Sequence, residues 1–432
     1  MENLIKFFKI KRRAIALLAS MHFYGNPSKE LKIVGVTGTN GKTTTATLLY
    51  KVACELGYKA GLISTVENRI LDEVIPATHT TPDPINLNKL LKKMTEKKVE
   101  YVFMEVSSHA MDQNRVAGID FTGGIFTNLT HDHLDYHKSV ENYFNAKKKF
   151  FKMLPSSAFA LSNSDDEHGA LMLENIKAQK YAYGFKISDF GRPQAQYFQS
   201  KITKLDFSGI TLEITLGGLT AKLVKSKLLG KFNAYNLLSV WSACKLLGFD
   251  MERVNKILEN IEPPVGRFEH YIASSGVIVI VDYAHTPDAL ENVLSTARSI
   301  ISSYSAEAGL PQNMQIKIIA VFGCGGDRDN MKRRVMGKLG AQLSNIAIFT
   351  SDNPRSEDPM KIINEMKTDL STDELKKIKV FVDRGEAIAE SIKLAQSGDI
   401  ILCAGKGHET YQEIRGIKHH FNDMEEYKKL LK

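Results

Sequence analysis

The sequence predicts an α/β protein of two main domains, each built on a mostly parallel sheet with crossover helices. Short β-branched runs alternate with stretches of helical periodicity from Leu31 onward. The alternation stops near Pro263 and Pro264 and then begins again, which places a domain boundary close to residue 266. With 432 residues, 43% hydrophobic and 25% charged, the chain is long enough for two or three globular cores.

The first alternating series predicts the larger domain. Strands are expected at 32–36, 60–64, 101–106, 124–127 and 158–162, and helices at 42–56, 86–95 and 140–150. Between about 198 and 229, apolar residues alternate with period two around Gly217 and Gly218, which predicts a hairpin or small antiparallel attachment to the main sheet. Helices should follow at 233–247 and 251–260.

The second series predicts a smaller, Rossmann-like domain. Its strands are expected at 277–282, 316–322, 346–350, 380–382 and 399–404, with helical segments between them. We therefore expect a short helical segment at 1–30, a central domain at 31–265 and a C-terminal domain at 266–432.

Bulk properties argue against a transmembrane or disulfide-stabilised protein. No apolar run approaches the roughly 20 residues that span a bilayer, and the first residues lack a signal-peptide core. The four cysteines lie far apart along the chain, as expected for a cytoplasmic protein. The formal charge of +8 is compatible with nucleic acid, a membrane surface or an anionic small substrate, so charge alone does not choose a partner.

Basic and apolar residues interleave at the start of the chain. The basic residues are Lys6, Lys9, Lys11, Arg12 and Arg13. An interfacial basic helix is one interpretation. The pattern favours the other, a helix that packs its apolar stripe on the next domain and leaves a solvated basic face.

The strongest single signal is a glycine-rich run between a predicted strand and a predicted helix. Its glycines permit the backbone to wrap a phosphate, its lysine adds a positive charge, and its threonine offers a hydroxyl to magnesium. The general phosphate-loop pattern is not met in full, because Val36 stands where the first glycine is usual. The run comprises Gly38, Thr39, Asn40, Gly41, Lys42, Thr43 and Thr44.

This run, preceded by Thr37, resembles the phosphate loop of the Mur ligases and of folylpolyglutamate synthase. Both families form amide bonds through an acyl phosphate. The resemblance implies a central domain of the P-loop ATPase type that uses ATP and Mg²⁺.

Acidic and imidazole side chains follow two predicted strands. Glu105 closes one strand, and His131, His133 and His137 lie downstream of another. Three histidines alone leave two interpretations open, a metal site or a solvated loop. Both stretches resemble Mur ligase motifs in which the residues at Glu105 and His133 hold magnesium. Because hard cations prefer oxygen, Thr43 and Glu105 are the more natural ligands.

A lysine run lies in the predicted helix at 140–150. Such a run ordinarily indicates a basic helix surface, and this is the interpretation for Lys148 and Lys149. Ala146 and Lys147 resemble the family position at which a lysine is carbamylated. The resemblance implies that Lys147 becomes a carboxylate able to bind a second magnesium.

Further family motifs concern the nucleotide. Asn233 and Asn236 lie in a run that resembles the adenine-side motif, although Asn233 has a second interpretation as a helix N-cap. Arg267 resembles the linker arginine that reaches the terminal phosphate. Asp282 resembles the aspartate that contacts the nucleotide from the C-terminal domain. The implied catalytic set is Lys42, Glu105, His133, Lys147 and Arg267.

Substrate-side motifs resemble the MurE-type branch, which adds the third residue of the stem peptide. The positions that hold the muramoyl dipeptide correspond to Thr80, Thr81, Ser107, Gln113 and Arg115. The positions that select meso-diaminopimelate correspond to Arg328, Asp352, Asn353, Pro354, Arg355, Gly405 and Glu409. An alternative for Arg355 is a simple ion pair with Glu357 or Asp358.

The resemblance implies a cytoplasmic, monomeric ligase that adds meso-diaminopimelate to UDP-N-acetylmuramoyl-L-Ala-D-Glu. Its partners would be small molecules and not nucleic acid. One departure is that only about thirty-seven residues precede Gly38, so most of the usual N-terminal UDP-binding domain is expected to be absent. Alternatives are L-lysine or another acceptor as substrate, a folylpolyglutamate synthase-like ligase, and a nucleotide-binding partner subunit without catalysis.

Overall fold

The computed structural model describes residues 14–18, 23–130, 132–186, 196–206, 208–217, 222–307 and 316–431. The basic run from Lys6 to Arg13 and the predicted turn residue Gly218 lie outside these ranges. The chain divides into two compact units, one ending at Glu262 and the other comprising 205–207 and Pro263–Lys432. Within the described ranges, no helix is both long and apolar enough to cross a membrane.

The first unit is built on a sheet of eleven strands whose central members are parallel. The sheet order is β11-β10-β9-β8-β7-β6-β1-β5-β2-β3-β4. The strands are β1 Lys32–Thr37, β2 Ala60–Ile63, β3 Glu67–Ile70, β4 Glu73–Pro76, β5 Tyr101–Glu105, β6 Gly123–Phe126, β7 Phe159–Asn163, β8 Gln179–Gly184, β9 Gln196–Asp206, β10 Gly209–Leu216 and β11 Lys222–Ser226.

Besides helical residues at 14–18 and a 3₁₀ helix at Pro27–Glu30, eight α-helices accompany this sheet within the described residues. They are α1 Lys42–Glu55, α2 Pro84–Glu96, α3 Ser108–Asp112, α4 Leu134–His137, α5 Val140–Met153, α6 Gly169–Leu173, α7 Lys231–Leu246 and α8 Met251–Asn260. Polar N-caps explain several helix starts: Asp83, Ser139 and Asp250 each accept hydrogen bonds from backbone N–H groups of the first turn.

The second unit has a six-stranded sheet in the order β12-β13-β17-β14-β15-β16, with only β12 antiparallel, and a separate hairpin. Its strands are β12 Glu269–Ile272, β13 Ile278–Asp282, β14 Ile318–Phe322, β15 Ile346–Phe349, β16 Ile378–Val380, β17 Ile400–Ala404, and the hairpin β18 Tyr411–Ile414 with β19 Ile417–His420. Its helices are α9 Pro287–Glu307, α10 Met331–Leu343, α11 Pro359–Lys367, α12 Thr372–Leu375, α13 Arg384–Leu394 and α14 Asp423–Leu430.

The predicted α/β class is confirmed, because both main sheets are mostly parallel and accompanied by helices. The predicted antiparallel attachment is also confirmed, because β10 and β11 pair antiparallel and β9 joins them to β8 of the main sheet. One detail differs. The bounds of the predicted strand at 380–382 are wrong, since the strand runs from Ile378 to Val380 and pairs Ile378 with Ala347.

Candidate active site

The phosphate loop leaves β1 and enters α1 in a conformation that only glycine accepts easily. Gly41 caps α1 with φ of 84°. A methyl group placed at Gly38 would lie 1.9 Å from Thr127 Oγ1, so any side chain there would clash with the end of β6. The loop is clamped by Asn128, whose carbonyl accepts from Thr39 N at 2.8 Å and whose Oδ1 accepts from Asn40 N at 2.8 Å.

Two lysines converge on one carbonyl of this loop. Lys42 Nζ donates to Gly38 O at 2.9 Å and to Thr39 O at 2.6 Å, and Lys147 Nζ donates to Gly38 O at 2.6 Å. Lys147 is buried, with Nζ 4.4 Å from the centre of the Tyr143 ring. Burial, reinforced by the charge of Lys42, holds the pKa of Lys147 well below its usual range.

The structure contradicts the prediction that the neighbouring Lys148 lies on a solvated helix surface. The sequence suggests a solvated position, but Lys148 is buried, donates to the Leu171 carbonyl, and has its pKa lowered by burial to about 8. Lys149 does lie at the surface, with its side chain 51% exposed and Nζ 3.7 Å from Asp112.

Glu105, at the end of β5, is buried next to the phosphate loop. Its Oε1 accepts from Thr43 Oγ1 at 2.9 Å and from Thr65 N at 2.7 Å, while Oε2 accepts from Thr65 Oγ1 at 3.2 Å. Two oxygens bound side by side to an octahedral Mg²⁺ at its usual bond lengths lie about 2.9 Å apart. The Thr43 and Glu105 oxygens are therefore spaced as two neighbouring ligands of such an ion would be.

His133 lies in the loop before α4 with φ of 55°, an uncommon conformation for a non-glycine residue. Its ring is 4.8 Å from that of His109, and Nε2 is 3.4 Å from Asp132 Oδ2. The side chain is 45% exposed, so only partial burial, opposed by Asp132, acts to lower its pKa; this direction favours the neutral imidazole, the form that ligates metals.

Whether the three histidines form a metal site stays a prediction, because only His133 and His137 lie within the described residues. Among the residues that the structure describes, no group of three His, Cys, Asp or Glu side chains could hold a metal. His131 lies outside those residues. His137 is buried and its Nε2 lies 3.0 Å from Ser108 Oγ.

The residues expected to hold the acceptor form a connected network beside Glu105. Thr81 Oγ1 donates to Glu105 O at 2.8 Å and accepts from Ser107 N at 3.1 Å. Arg115 Nη1 donates to Thr81 O at 2.7 Å, and its Nη2 donates to Gln113 Oε1 at 2.9 Å.

Thr80 joins the same network through Thr65, because the two hydroxyl oxygens lie 3.0 Å apart. Thr65 thus connects the carboxylate of Glu105 to the expected acceptor residues. Sequence reasoning missed it, because a single threonine after a short strand carries no motif.

The two asparagines expected on the adenine side are both buried. Helix α7 begins at Lys231 with Gly230 as its N-cap, so the N-cap interpretation of Asn233 is wrong. Asn233 Nδ2 donates to Leu229 O at 2.9 Å and its Oδ1 accepts from Asn236 Nδ2 at 3.0 Å. Asn236 Oδ1 closes on the phosphate loop, 2.4 Å from where a Cβ of Gly41 would lie.

In the second unit, Asp282 ends β13 and is buried beside the linker segment. Its Oδ2 accepts from Phe268 N at 2.7 Å. Burial raises the pKa of Asp282 to about 6, against the opposing charge of Arg267. The Arg267 guanidinium lies 4.8 Å from the centre of the Tyr283 ring, so the two polar residues expected at the nucleotide belong to one cluster.

The segment from Asp352 to Arg355 is fixed by the β18 strand. Arg355 has φ of 52°, donates from its backbone N to Glu413 O at 3.1 Å, and donates from Nη1 to Gly326 O at 2.7 Å. A methyl group at Gly325 would lie 3.0 Å from Arg355 Nη1 and 3.8 Å from Arg328 Cγ, so both arginines flank this glycine.

The simple ion pair considered for Arg355 is not formed. Glu357 pairs with Arg333 at 2.7 Å, and Asp358 caps α11. The carboxylate near Arg355 is Glu413, with Oε2 3.7 Å from Nε.

Glu409 lies beside the same segment. Its Oε2 accepts from Asn353 Nδ2 at 2.8 Å and from Lys406 Nζ at 3.2 Å. Gly405, with φ of 115°, has no room for a side chain, because a Cβ would lie 2.5 Å from Asp352 Oδ2. Apart from Pro354, for which the side-chain contacts give no role, the expected diaminopimelate residues are close neighbours.

Fold and side chains together define the class, an ATP-dependent ligase with a phosphate-loop domain and a second α/β domain. Comparison with known proteins gives the family. Residues 36–244 match the Mur ligase middle domain, and residues 266–407 match the Mur ligase glutamate ligase domain.

A relative from Bacteroides fragilis, UDP-N-acetylmuramoyl-L-alanyl-D-glutamate–2,6-diaminopimelate ligase, is 50% identical over 414 residues, 95% of this chain and 80% of that protein. A solved structure of the same name is 31% identical, with a TM-score of 0.65, covering 97% of this chain and 82% of the other. A folylpolyglutamate synthase from Thermotoga maritima, 17% identical with a TM-score of 0.65 over 91% of this chain and 90% of its own, shares the fold alone. The chain belongs to the Mur ligase family, whose members are ATP- and Mg²⁺-dependent amino-acid ligases.

Proposed function

We propose that the protein adds meso-diaminopimelate to the D-glutamyl carboxylate of UDP-N-acetylmuramoyl-L-alanyl-D-glutamate, with ATP converted to ADP and phosphate. The observation that carries this proposal is that two arginines flank Gly325, Arg355 with its Nη1 and Arg328 with its Cγ. Arg355 is held there by its left-handed backbone and by Gly326 O. The similarity to ligases of that name supports the same substrate.

In this proposal, the site selects the amino acid by the carboxylate and the ammonium that lie farthest from the reacting amine. Arg328 and Arg355 receive the far carboxylate, which suits the forked geometry of guanidinium groups, and Glu409 receives the ammonium. Lysine lacks that carboxylate and would leave the arginines unpaired, and unsatisfied polar groups cost more binding free energy than a missing methylene.

ATP supplies the free energy for amide formation. Lys42 and the loop N–H groups bind the phosphates of ATP, with Arg267 and Asp282 as contacts from the second unit. The acceptor carboxylate attacks the γ-phosphorus, the bond to ADP breaks, and an acyl phosphate forms. The amine then attacks the acyl carbon, loses a proton, and the tetrahedral intermediate expels phosphate to leave the amide.

Thr43, Glu105 and His133 are the proposed magnesium ligands. The 2.9 Å separation of Thr43 Oγ1 and Glu105 Oε1 supports this set, as does the lowered pKa of His133. The ion neutralises negative charge on the transferring phosphoryl group when it is bound.

Lys147 is the proposed carbamylation site. Carbamylation requires a neutral amine to attack carbon dioxide, and burial beside Lys42 favours the neutral form by lowering the pKa of Lys147. The carbamate would keep one N–H that can donate to Gly38 O, the present partner of Nζ. Its carboxylate would provide oxygen ligands for a second magnesium.

On the acceptor side, the proposed ligands are Thr80, Thr81, Ser107, Gln113 and Arg115. Their hydrogen-bonded network reaches the backbone carbonyl of Glu105, which supports a carboxylate acceptor held next to the metal ligands. We further propose a central ATP-binding domain at 31–265, an amino-acid-binding domain at 266–432, and a monomer acting in the cytoplasm, where the four free cysteines would remain reduced.

An amino-acid panel tests the substrate assignment. Purified protein is incubated with ATP, Mg²⁺, the UDP-muramoyl dipeptide and each amino acid, and the product is identified by mass spectrometry while phosphate release is followed. We expect diaminopimelate to be ligated and lysine to be used poorly. Preference for lysine would contradict the role of the two arginines, and absence of any tripeptide would contradict the function.

A further inference from the structure

Lys406 is a lysine whose ammonium is removed from solvent. Its side chain is 0% exposed. Nζ donates to Asn353 Oδ1 and to Glu409 Oε2, both at 3.2 Å, and lies 4.0 Å from Asp352 Oδ1. Removing an ammonium from water is costly unless charged partners compensate, so this position requires an explanation.

The chain turns Lys406 inward by means of two flanking glycines. Gly405 and Gly407 have φ of 115° and 50°. A Cβ on Gly407 would lie 2.7 Å from Tyr283 Cβ, so this turn is packed closely against the end of β13. Glu409 N donates to Lys406 O at 2.9 Å, which brings the Glu409 carboxylate back over the lysine.

The charges in this cluster do not balance. Asp352 and Glu409 bring two carboxylates, and Lys406 brings one ammonium, which leaves one formal negative charge in excess. Asn353 adds no charge but joins the members, because its Oδ1 accepts from Lys406 and its Nδ2 donates to Glu409. A cluster of this kind has a place for one additional cation.

Resting on the proposed function, we propose that Lys406 is a positioning residue for the amino-acid substrate. Its ammonium fixes Glu409 and Asn353 in place and keeps Glu409 ionised. The ammonium of the incoming amino acid then neutralises the remaining negative charge. Lys406 does not touch the substrate and acts through Glu409.

The titration behaviour of Glu409 is consistent with this role. Burial and the nearby charge of Asp352 raise the pKa of Glu409, and Lys406 and Asn353 oppose that rise. The other titratable groups that interact with this cluster are Tyr283 and Tyr411 and, through Asp352, Cys324 and Arg384. Arg384 adds no net charge, because it is paired with Asp423. Without Lys406 the carboxyl would hold its proton to a higher pH, and a neutral carboxyl attracts an ammonium only weakly.

Steady-state kinetics of Lys406→Met, which keeps the length of the side chain but not its charge, test the proposal. We expect KM for diaminopimelate to rise about tenfold or more, the scale of one lost charge interaction, with KM for ATP unchanged. The acidic limb of kcat/KM for diaminopimelate should move to higher pH. Lys418→Met is the matched control. Lys418 is exposed, and its Nζ lies 4.0 Å from the centre of the same Tyr411 ring, so its loss should leave both KM values unchanged.

Two further variants keep the test decisive if Lys406→Met does not fold. Lys406→Arg preserves the charge and should keep KM for diaminopimelate near the wild-type value. Glu409→Gln should remove the part of the acidic limb that Lys406→Met moves, because it removes the titrating carboxyl. A wild-type KM in Lys406→Met, or an acidic limb that is the same in Glu409→Gln as in the wild type, would overturn the proposal.

Failure of the proposal can be separated from failure of the proposed function. The panel of amino acids is run first with the wild-type protein, and a different preferred amino acid would refute diaminopimelate alone. The Lys406 variants are then assayed with whichever amino acid the wild type ligates. Diaminopimelate and lysine both carry an ammonium besides the amine that reacts, so the proposal predicts a raised KM for either amino acid.

Discussion

Replacing Thr43 with valine removes a hydroxyl but keeps the volume of the side chain. Thr43 Oγ1 donates to Glu105 Oε1 at 2.9 Å, and the two side chains are 4% and 1% exposed. A hydrogen bond to a charged group contributes about 1.5–3 kcal/mol. Glu105 retains two bonds from Thr65, so we expect Thr43→Val to lower the free energy of unfolding by about 1.5 kcal/mol, the lower end of that range.

Activity should respond more strongly than stability. If Thr43 Oγ1 is a magnesium ligand, its loss should raise the half-saturating Mg²⁺ concentration by at least about tenfold, since even groups that only support metal ligands have effects of that size. The assay is phosphate release against Mg²⁺ concentration at fixed ATP.

Thr45→Val is the matched control for this experiment. Thr45 lies in the same helix, is fully buried, and its hydroxyl has only a long contact of 3.5 Å to Ser239 Oγ. We expect Thr45→Val to leave the Mg²⁺ requirement unchanged. If both variants shift it equally, or if Thr43→Val stays within about twofold of wild type, the assignment of Thr43 is refuted.

Two further predictions concern buried charges of the second unit. Burial raises the pKa of Asp282 from 3.8 to about 6, so the stability that comes from its protonation is present below about pH 4 and is lost as pH rises through 6. Asp282→Asn should therefore raise the free energy of unfolding by about 2–3 kcal/mol at pH 7.5 and leave it unchanged near pH 4. Thermal unfolding of both proteins across this pH range tests the prediction. A difference in stability that does not depend on pH would contradict it. Asp423→Asn should lower the free energy of unfolding in urea by about 3–5 kcal/mol, because it leaves the fully buried Arg384 without its hydrogen-bonded counter-charge. The control Glu426→Gln, at the surface, should lower it by less than about 1 kcal/mol.

The sequence was most informative where local chemistry and chain order coincide. The phosphate loop could be predicted because its glycines, Lys42 and Thr43 are adjacent in the chain between a strand and a helix. Glu105 could be placed because it closes a strand, and parallel strands end at one edge of a sheet.

Features that depend on contacts distant in sequence could not be predicted. The run at 378–382 is apolar except for Lys379, so the sequence does not show which of its residues pair, and pairing with β15 selects Ile378–Val380. Asn233 has the chemistry of an N-cap, but the backbone turns into the helix earlier, at Gly230.

Buried lysines were the least predictable part of the site. A lysine usually lies at the surface, so the sequence predicts a solvated Lys148 and gives no role to Lys406, whereas both are buried. Both are buried by partners that lie far away in sequence, the Leu171 carbonyl for Lys148 and Asp352 with Asn353 for Lys406. For Lys406, the glycine on either side was the one local signal of an unusual turn.

The most direct test of the account follows oxygen atoms during one turnover. The UDP-muramoyl dipeptide is prepared with ¹⁸O in its D-glutamyl carboxylate, ligated to diaminopimelate with ATP and Mg²⁺, and the released phosphate is analysed by mass spectrometry. Formation of an acyl phosphate predicts that each phosphate carries one oxygen from the carboxylate. Phosphate released without the label, while the amide forms, would contradict the mechanism.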